Sequence, residues 1–316
     1  MNKGMFAQSP GWFKLSFAVT VIFASFVATS VVGFLATLFL FDVKAIELLM
    51  WLSNLNAVSD INVLKYLQIV QSVGIFIVPG FILSYLYSSP GQSYFGLSHW
   101  PSWKQIFLIF LCVICSVPVI NLMAEINSML QLPAFLQGVE NWMKEMEETA
   151  LKLTMMFLKM PTLNDFLINL LMIGILPALG EEMIFRGVLQ KSLIQMTRSP
   201  HAGIFLSAFI FSFIHLQFYG FLPRMALGIF FGYLFLWSQT LWLTVIAHLI
   251  NNAGAVIFYY LADNEVIDKK IETIGTPGNL LPLALISAIV LGFLIFQIYK
   301  LNLFNRGLSK ETNDLN

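Results

Sequence analysis

The chain has 316 residues, with 17 basic and 17 acidic side chains and a formal net charge of zero. Hydrophobic types make up 58% of it and charged types only 11%, roughly half the charged share of a soluble domain, and mean hydropathy is +0.80. These values exclude an ordinary soluble domain and a basic nucleic-acid-binding module, and leave an all-α polytopic transmembrane helical bundle.

Hydropathy places about eight spans along the chain, near 15–41, 63–87, 104–123, 166–190, 201–218, 223–238, 241–261 and 281–300. The first apolar run, Leu15 to Phe41, is too long for a cleaved signal segment and reads as a retained span. Turn residues separate the spans at Ser88-Ser89-Pro90-Gly91, Ser199-Pro200, Gly220 to Pro223 and Gly275-Thr276-Pro277-Gly278. Cys112 and Cys115 lie inside an apolar run, without the further ligands of a zinc site or the βαβ setting of a redox pair, and read as packing. The segment 139–160 differs from the spans. Val139, Trp142, Met143, Met146, Ala150, Leu153 and Phe157 recur at helical spacing, with charged residues between them. It is expected to be an amphipathic helix on the membrane or across the bundle, either a packing element or an adaptable methionine lid.

The run from Phe166 to Gly180 is apolar except for Asn169. It reaches only about 22 Å, short of the ~30 Å hydrocarbon core. A spanning helix must therefore continue through Glu181, Glu182 and Arg186. Ionised groups at that depth are costly and mark cavities or reaction sites. Glu182 and Arg186 are four residues apart on one helical face and can pair. Glu181, rotated by about 100°, is left to face a cavity, where a poorly hydrated carboxylate serves as a general base or acid. Pro177 and Gly180 weaken the helix just before the pair.

Two further spans add polar groups. Phe211 precedes His215 by one turn, so its ring can pack on the imidazole, and His248 shares a helical face with Asn252, with Asn251 as a substitute. Taken singly, such residues are more often interhelical hydrogen bonds; gathered in neighbouring spans they indicate a functional cluster. A carboxylate and a histidine can bind and deprotonate water, while a second histidine and an amide can stabilise an oxyanion. A His₂Glu zinc site from His215, His248 and a glutamate is the metal alternative, although the HExxH spacing is absent. No serine sits in a GxSxG elbow. A proton or solute transporter and a non-catalytic scaffold or immunity protein are the other classes. Against transport, the sequence has neither paired broken helices nor a repeat.

At these residues the chain resembles the CPBP family of intramembrane proteases, the CAAX proteases and bacteriocin-processing enzymes, which include type II CAAX prenyl endopeptidases. The family pattern is EExxxR, then FxxxH, then HxxxN. Here it stands as Glu181-Glu182 with Arg186, Phe211 with His215, and His248 with Asn252. The resemblance implies that Glu181 activates water with His215, that His248 and Asn252 form the oxyanion hole, and that Glu182, Arg186 and Phe211 support them. No cofactor is required on that reading; zinc is the alternative.

The expected domains are N-terminal spans with the amphipathic helix over 1–165, a protease core over 166–261, and a loop, final span and polar tail over 262–316. The expected partners are the lipid bilayer and a membrane-anchored or hydrophobic peptide; neither nucleic acid nor a particular oligomeric state is implied. The expected location is the plasma (inner) membrane, as a multi-pass protein. An even number of spans puts both termini on one side, and Lys3, Lys14, Lys300, Arg306 and Lys310 favour the cytoplasm on a slight loop asymmetry.

Overall fold

A computed structural model describes residues 3–89 and 93–314, with side chains of residue 269 and of 304–314 left undescribed. The turn at 88–91 and the side chains of Arg306 and Lys310 therefore fall wholly or partly outside the described residues. The fold is all-α. In chain order the helices are α1 (Gly11–Leu40), α2 (Ala45–Ser53), α3 (Ile61–Tyr87), α4 (Trp103–Ser128), α5 (Gln137–Phe157), α6 (Leu163–Thr197), α7 (Pro200–Phe213), α8 (Phe221–Ser238), α9 (Leu241–Asp263) and α10 (Leu281–Asp314).

Among the described residues, seven helices are long and apolar enough to cross a membrane: α1, α3, α4, α6, α8 with the short turn before it, α9, and α10 as far as Leu303. The expected fifth span, 201–218, is the apolar but shorter α7 of 14 residues, about 21 Å long. It packs along α8 as an antiparallel pair, and Gly228 makes this close approach feasible, since its Cα faces Ala208 with no room for a larger side chain.

Local chemistry sets the helix ends. Ser102 and Gln105 form a capping box at the start of α4. Thr162 caps α6 by accepting from the Asp165 amide, and Ser199 followed by Pro200 starts α7. Arg198 adopts left-handed φ of 54° between α6 and α7 and reverses the chain there. Polar contacts then join distant elements. Gln105 Nε2 donates to Asn302 Oδ1 between α4 and α10, and buried Lys65 on α3 pairs with Asp165 on α6 at 3.4 Å.

Helix α6 is continuous across the predicted boundary, as the length argument requires, but it is not a regular α-helix. It widens into π-helical turns at Leu170–Ile175 and Met183–Gln190. Pro177 explains the first: it has no N–H for the Ile173 carbonyl, and its ring crowds that carbonyl in a regular turn. Gly180 lets α3 come close, because a Cβ there would meet Phe76 Cβ at 2.6 Å.

The expected amphipathic helix is α5. It packs on α3 and on the turn at Phe218–Gly220. Trp142 contacts the Phe218 ring at 5.5 Å, and Glu147 accepts from the Tyr219 amide at 3.2 Å. On its outer face Lys144 donates to Glu140 and holds that carboxyl below the usual range.

Candidate active site

Helix α6 carries Glu181, Glu182 and Arg186 into the bundle, the end of α7 brings Phe211 and His215, and α9 brings His248, Asn251 and Asn252. These elements surround a cavity of about 580 Å³. Glu181, His215, His248 and Asn252 all line it, so each expected reactive residue meets the same space.

Glu182 is fully buried, and its Oε1 accepts from Arg186 Nη1 at 2.7 Å and from His248 Nδ1 at 2.9 Å. The i,i+4 pairing read from the sequence is thus present, with a second partner that spacing along one helix does not reveal. The Arg186 guanidinium lies between two rings, its Cζ 4.8 Å from the Phe211 centroid and 5.4 Å from that of Phe231. Arg186 Nη2 also reaches the Gly228 carbonyl at 3.3 Å. Burial of an ion pair is tolerated when its charge is matched and hydrogen bonds hold it; Oε1 carries both bonds here, Oε2 has no hydrogen-bond partner among the described residues, and the aromatic faces add a favourable cation–π field.

His248 sits between the glutamates, with Nε2 3.9 Å from Glu181 Oε2. Its ring stacks on Phe231 at 5.4 Å and meets Phe211 edge-on. The bond to a carboxylate fixes a proton on His248 Nδ1 and turns Nε2 toward Glu181. His215 is fixed in the same sense: Nδ1 donates to the Phe211 carbonyl at 2.7 Å, and the Phe211 ring packs against its imidazole at 5.0 Å. A carbonyl only accepts, so Nδ1 carries the proton and Nε2 keeps a lone pair.

Leu216, directly after His215, has a left-handed φ of 53°. For leucine this conformation costs about 1–2 kcal/mol, and it ends α7 sharply beside the site. Asn252 Nδ2 donates to the Ile173 carbonyl at 3.0 Å, the carbonyl that Pro177 cannot serve. Asn251 Nδ2 in turn donates to Asn252 Oδ1 at 3.1 Å and orients the amide. Pro177 therefore acts by exposing an acceptor that positions Asn252.

The zinc alternative meets a geometric obstacle. Among the described residues, no group of three or more His, Cys, Asp and Glu side chains is arranged to hold a metal ion, although the Nδ1 bonds of His215 and His248 by themselves leave each Nε2 free to ligate. The residues as placed do not fit a His₂Glu centre.

Sequence reasoning passed over Arg224 and Gln217, which also line the cavity. Arg224 Nη2 donates to Gln217 Oε1 at 2.8 Å and Nη1 to the Gln217 carbonyl at 3.2 Å. The available signal was an arginine one residue after the Gly220–Pro223 turn, inside an apolar helix. On the other side, α5 contributes Ala150, Leu153, Thr154 and Phe157 to the wall; Met143 and Met146, the methionines considered for a lid, are not among the lining residues.

No curated protein and no solved structure matches the chain. At family level the protein-family comparison supports an intramembrane endopeptidase of the CAAX-protease type within an integral membrane protein. Residues 163–254, a stretch that holds Glu181 through Asn252, match the family model described as Type II CAAX prenyl endopeptidase Rce1-like, and it is to this family that the segment is similar.

Proposed function

We propose that the protein hydrolyses a peptide bond in a membrane-anchored or hydrophobic peptide, with Glu181 as general base and no metal in the reaction. The observation that carries this reading is the convergence of Glu181, His215, His248 and Asn252 on one cavity inside an apolar bundle. Water bound between Glu181 and His215 Nε2 loses a proton to Glu181 as its oxygen bonds to the scissile carbonyl carbon. The carbonyl oxygen becomes an oxyanion held by N–H groups of His248 Nε2 and Asn252 Nδ2. Collapse breaks the C–N bond, and protonated Glu181 returns the proton to the leaving amine.

Donation from His248 Nε2 requires a proton on both ring nitrogens, because Nδ1–H is already engaged by Glu182. His248 then works as an imidazolium. Glu182 supplies the matching charge, and Arg186 holds Glu182 in place. The same reading puts the protein in the plasma (inner) membrane.

The test is cleavage by the reconstituted protein in proteoliposomes. Glu181→Gln and His215→Ala are expected to abolish hydrolysis while the protein still accumulates in the membrane; full activity of both variants would overturn the mechanism. Chelator inhibition reversed by zinc, with about one zinc bound per chain, would replace it with a metal mechanism. Crosslinking in the Glu181→Gln background identifies the substrate as the membrane peptide enriched over wild type.

A further inference from the structure

The segment before α4 and the ends of α6 and α8 enclose a second cavity of about 300 Å³, which shares no lining residue with the reaction site. Ser93, Tyr94, Gln190, Phe235 and Gln239 line it, and Lys191 is the one charged side chain in its wall among the described residues. The Lys191 ammonium donates to the Tyr94 carbonyl and lies over the Tyr94 and Phe235 rings, 4.2 and 5.2 Å from their centroids. An ammonium has three N–H donors, so two remain for a ligand.

Lys14 of α1, 9% exposed, comes onto the same Tyr94 ring at 6.0 Å and donates to the Ala7 carbonyl. Among the described residues no carboxylate forms an ion pair with either lysine. Carbonyls and ring faces supply no full negative charge, and two ammonium groups sharing one ring repel each other. Ser93 adds a donor. Its Oγ accepts from the Leu97 amide, and its own proton has no acceptor among the described residues. A cavity of one sign with unused donors suits a phosphate, which lysine holds as a point charge.

Depth indicates where the phosphate comes from. Five of the seven tryptophans, Trp12, Trp100, Trp103, Trp237 and Trp242, stand at this end of the bundle, where α1, α4 and α9 begin and α8 ends. Trp12, Trp100 and Trp103 are exposed. Such a belt marks the level of the lipid headgroups, and basic pockets between spans at that level take anionic headgroups. Ile194 and Phe235 give the cavity an apolar wall that suits the glycerol and the first acyl carbons.

We propose that this cavity binds the phosphate of an anionic phospholipid headgroup, held by Lys191 and Ser93, with Lys14 adding its positive charge nearby. The site is independent of the proteolytic reading and is tested by binding.

The full chain, stripped of lipid in detergent, is titrated by calorimetry with dihexanoyl phosphatidylglycerol, with dihexanoylglycerol, which lacks the phosphate, and with inorganic phosphate. The phosphatidylglycerol is expected to bind at least about tenfold more tightly than the other two, as charge-assisted contacts give. Lys191→Met is expected to erase this preference, Lys14→Met to weaken it and Lys191→Arg to keep it. Lys104→Met, at the same end but outside the cavity, is expected to leave it unchanged. Equal binding of the two glycerolipids to the wild type overturns the proposal. A preference that survives at full strength in a folded Lys191→Met protein, or that Lys104→Met lowers as much, also overturns it. Inorganic phosphate that binds as tightly as the lipid and competes with it assigns the cavity to free phosphate and overturns the lipid source. A second measurement needs no variant: phosphatidylglycerol with a photoreactive headgroup is expected to label residues 93–96 or 190–194 of the wild type. Labelling confined to other segments overturns the proposal even where a variant fails to fold.

Discussion

Glu181 and Glu182 are adjacent, identical in chemistry and held in opposite circumstances. Glu182 spends Oε1 on Arg186 and His248 with no exposure to solvent, whereas Glu181 reaches the cavity. Glu181→Gln is expected to lower the rate of hydrolysis by on the order of 10²–10⁴-fold with the melting point in detergent little changed, measured by cleavage and thermal unfolding on one preparation. Asn252→Ala should lower kcat by about 10²–10³-fold with a smaller change in KM, read from steady-state kinetics. The alternative, in which Asn252 only holds Ile173, predicts instead a loss of stability with kcat retained. The pairings of Glu182 with Arg186 and of Phe211 with His215 were legible in the sequence because each joins residues four apart, although His215 stands in the turn just past α7. The Glu182–His248 bond was not, since it joins residues 66 positions apart.

Helix α6 shows how one element stores the geometry of a site. Pro177 opens a π turn, Asn252 takes up the carbonyl left over, and Gly180 brings α3 against the same stretch. Gly180→Ala forces a Cβ to 2.6 Å from Phe76 and is expected to cost about 1–3 kcal/mol. Arg186→Ala leaves Glu182 buried without its main counter-charge and is expected to cost about 3–5 kcal/mol, giving a large fall in the unfolding midpoint in detergent. An unchanged midpoint for Arg186→Ala would mean that Glu182 is buried uncharged or that the His248 imidazolium alone balances it. The length argument anticipated a helix running through the glutamates, and the structure adds that its hydrogen-bond register changes on both sides of them. No periodicity reports that change, because the same residues read as one apolar stripe in either register.

Over the whole molecule the acidic side chains divide by end, and the basic ones do not. Lys14, Lys104, Lys191 and Arg198 gather where α1, α4 and α9 begin and α3, α6 and α8 end, joined by contacts such as Lys14 and Lys191 on the Tyr94 ring. Among the described residues no acidic side chain lies at that end, while Asp42, Glu47, Asp60, Glu125, Asp263 and Glu265 lie at the other, where Lys44, Lys65, Lys144, Lys152, Lys159 and Lys270 also lie. The bias in basic residues, which is what orients a membrane protein, is therefore as slight in the fold as in the sequence. By the positive-inside rule the end where α1 begins, with its small excess of basic residues, is expected in the cytoplasm. In a background with Cys112 and Cys115 replaced by alanine, an impermeant thiol reagent outside intact cells should label Glu265→Cys and spare Ser98→Cys; the reverse pattern would invert the orientation.

The sequence by itself determined the all-helical membrane architecture, the continuation of one helix through the paired glutamates and four of the residues that meet in the cavity, Glu181, His215, His248 and Asn252. Those properties follow from hydropathy and from contacts within a turn or two of helix. Only the tertiary structure decided which glutamate His248 joins, that Asn252 is held by the carbonyl Pro177 leaves free, and that Arg224 shares the cavity. Each of these is a contact between helices, set by how apolar surfaces pack and where backbone groups are left unpaired, and spacing along a single helix carries no record of it.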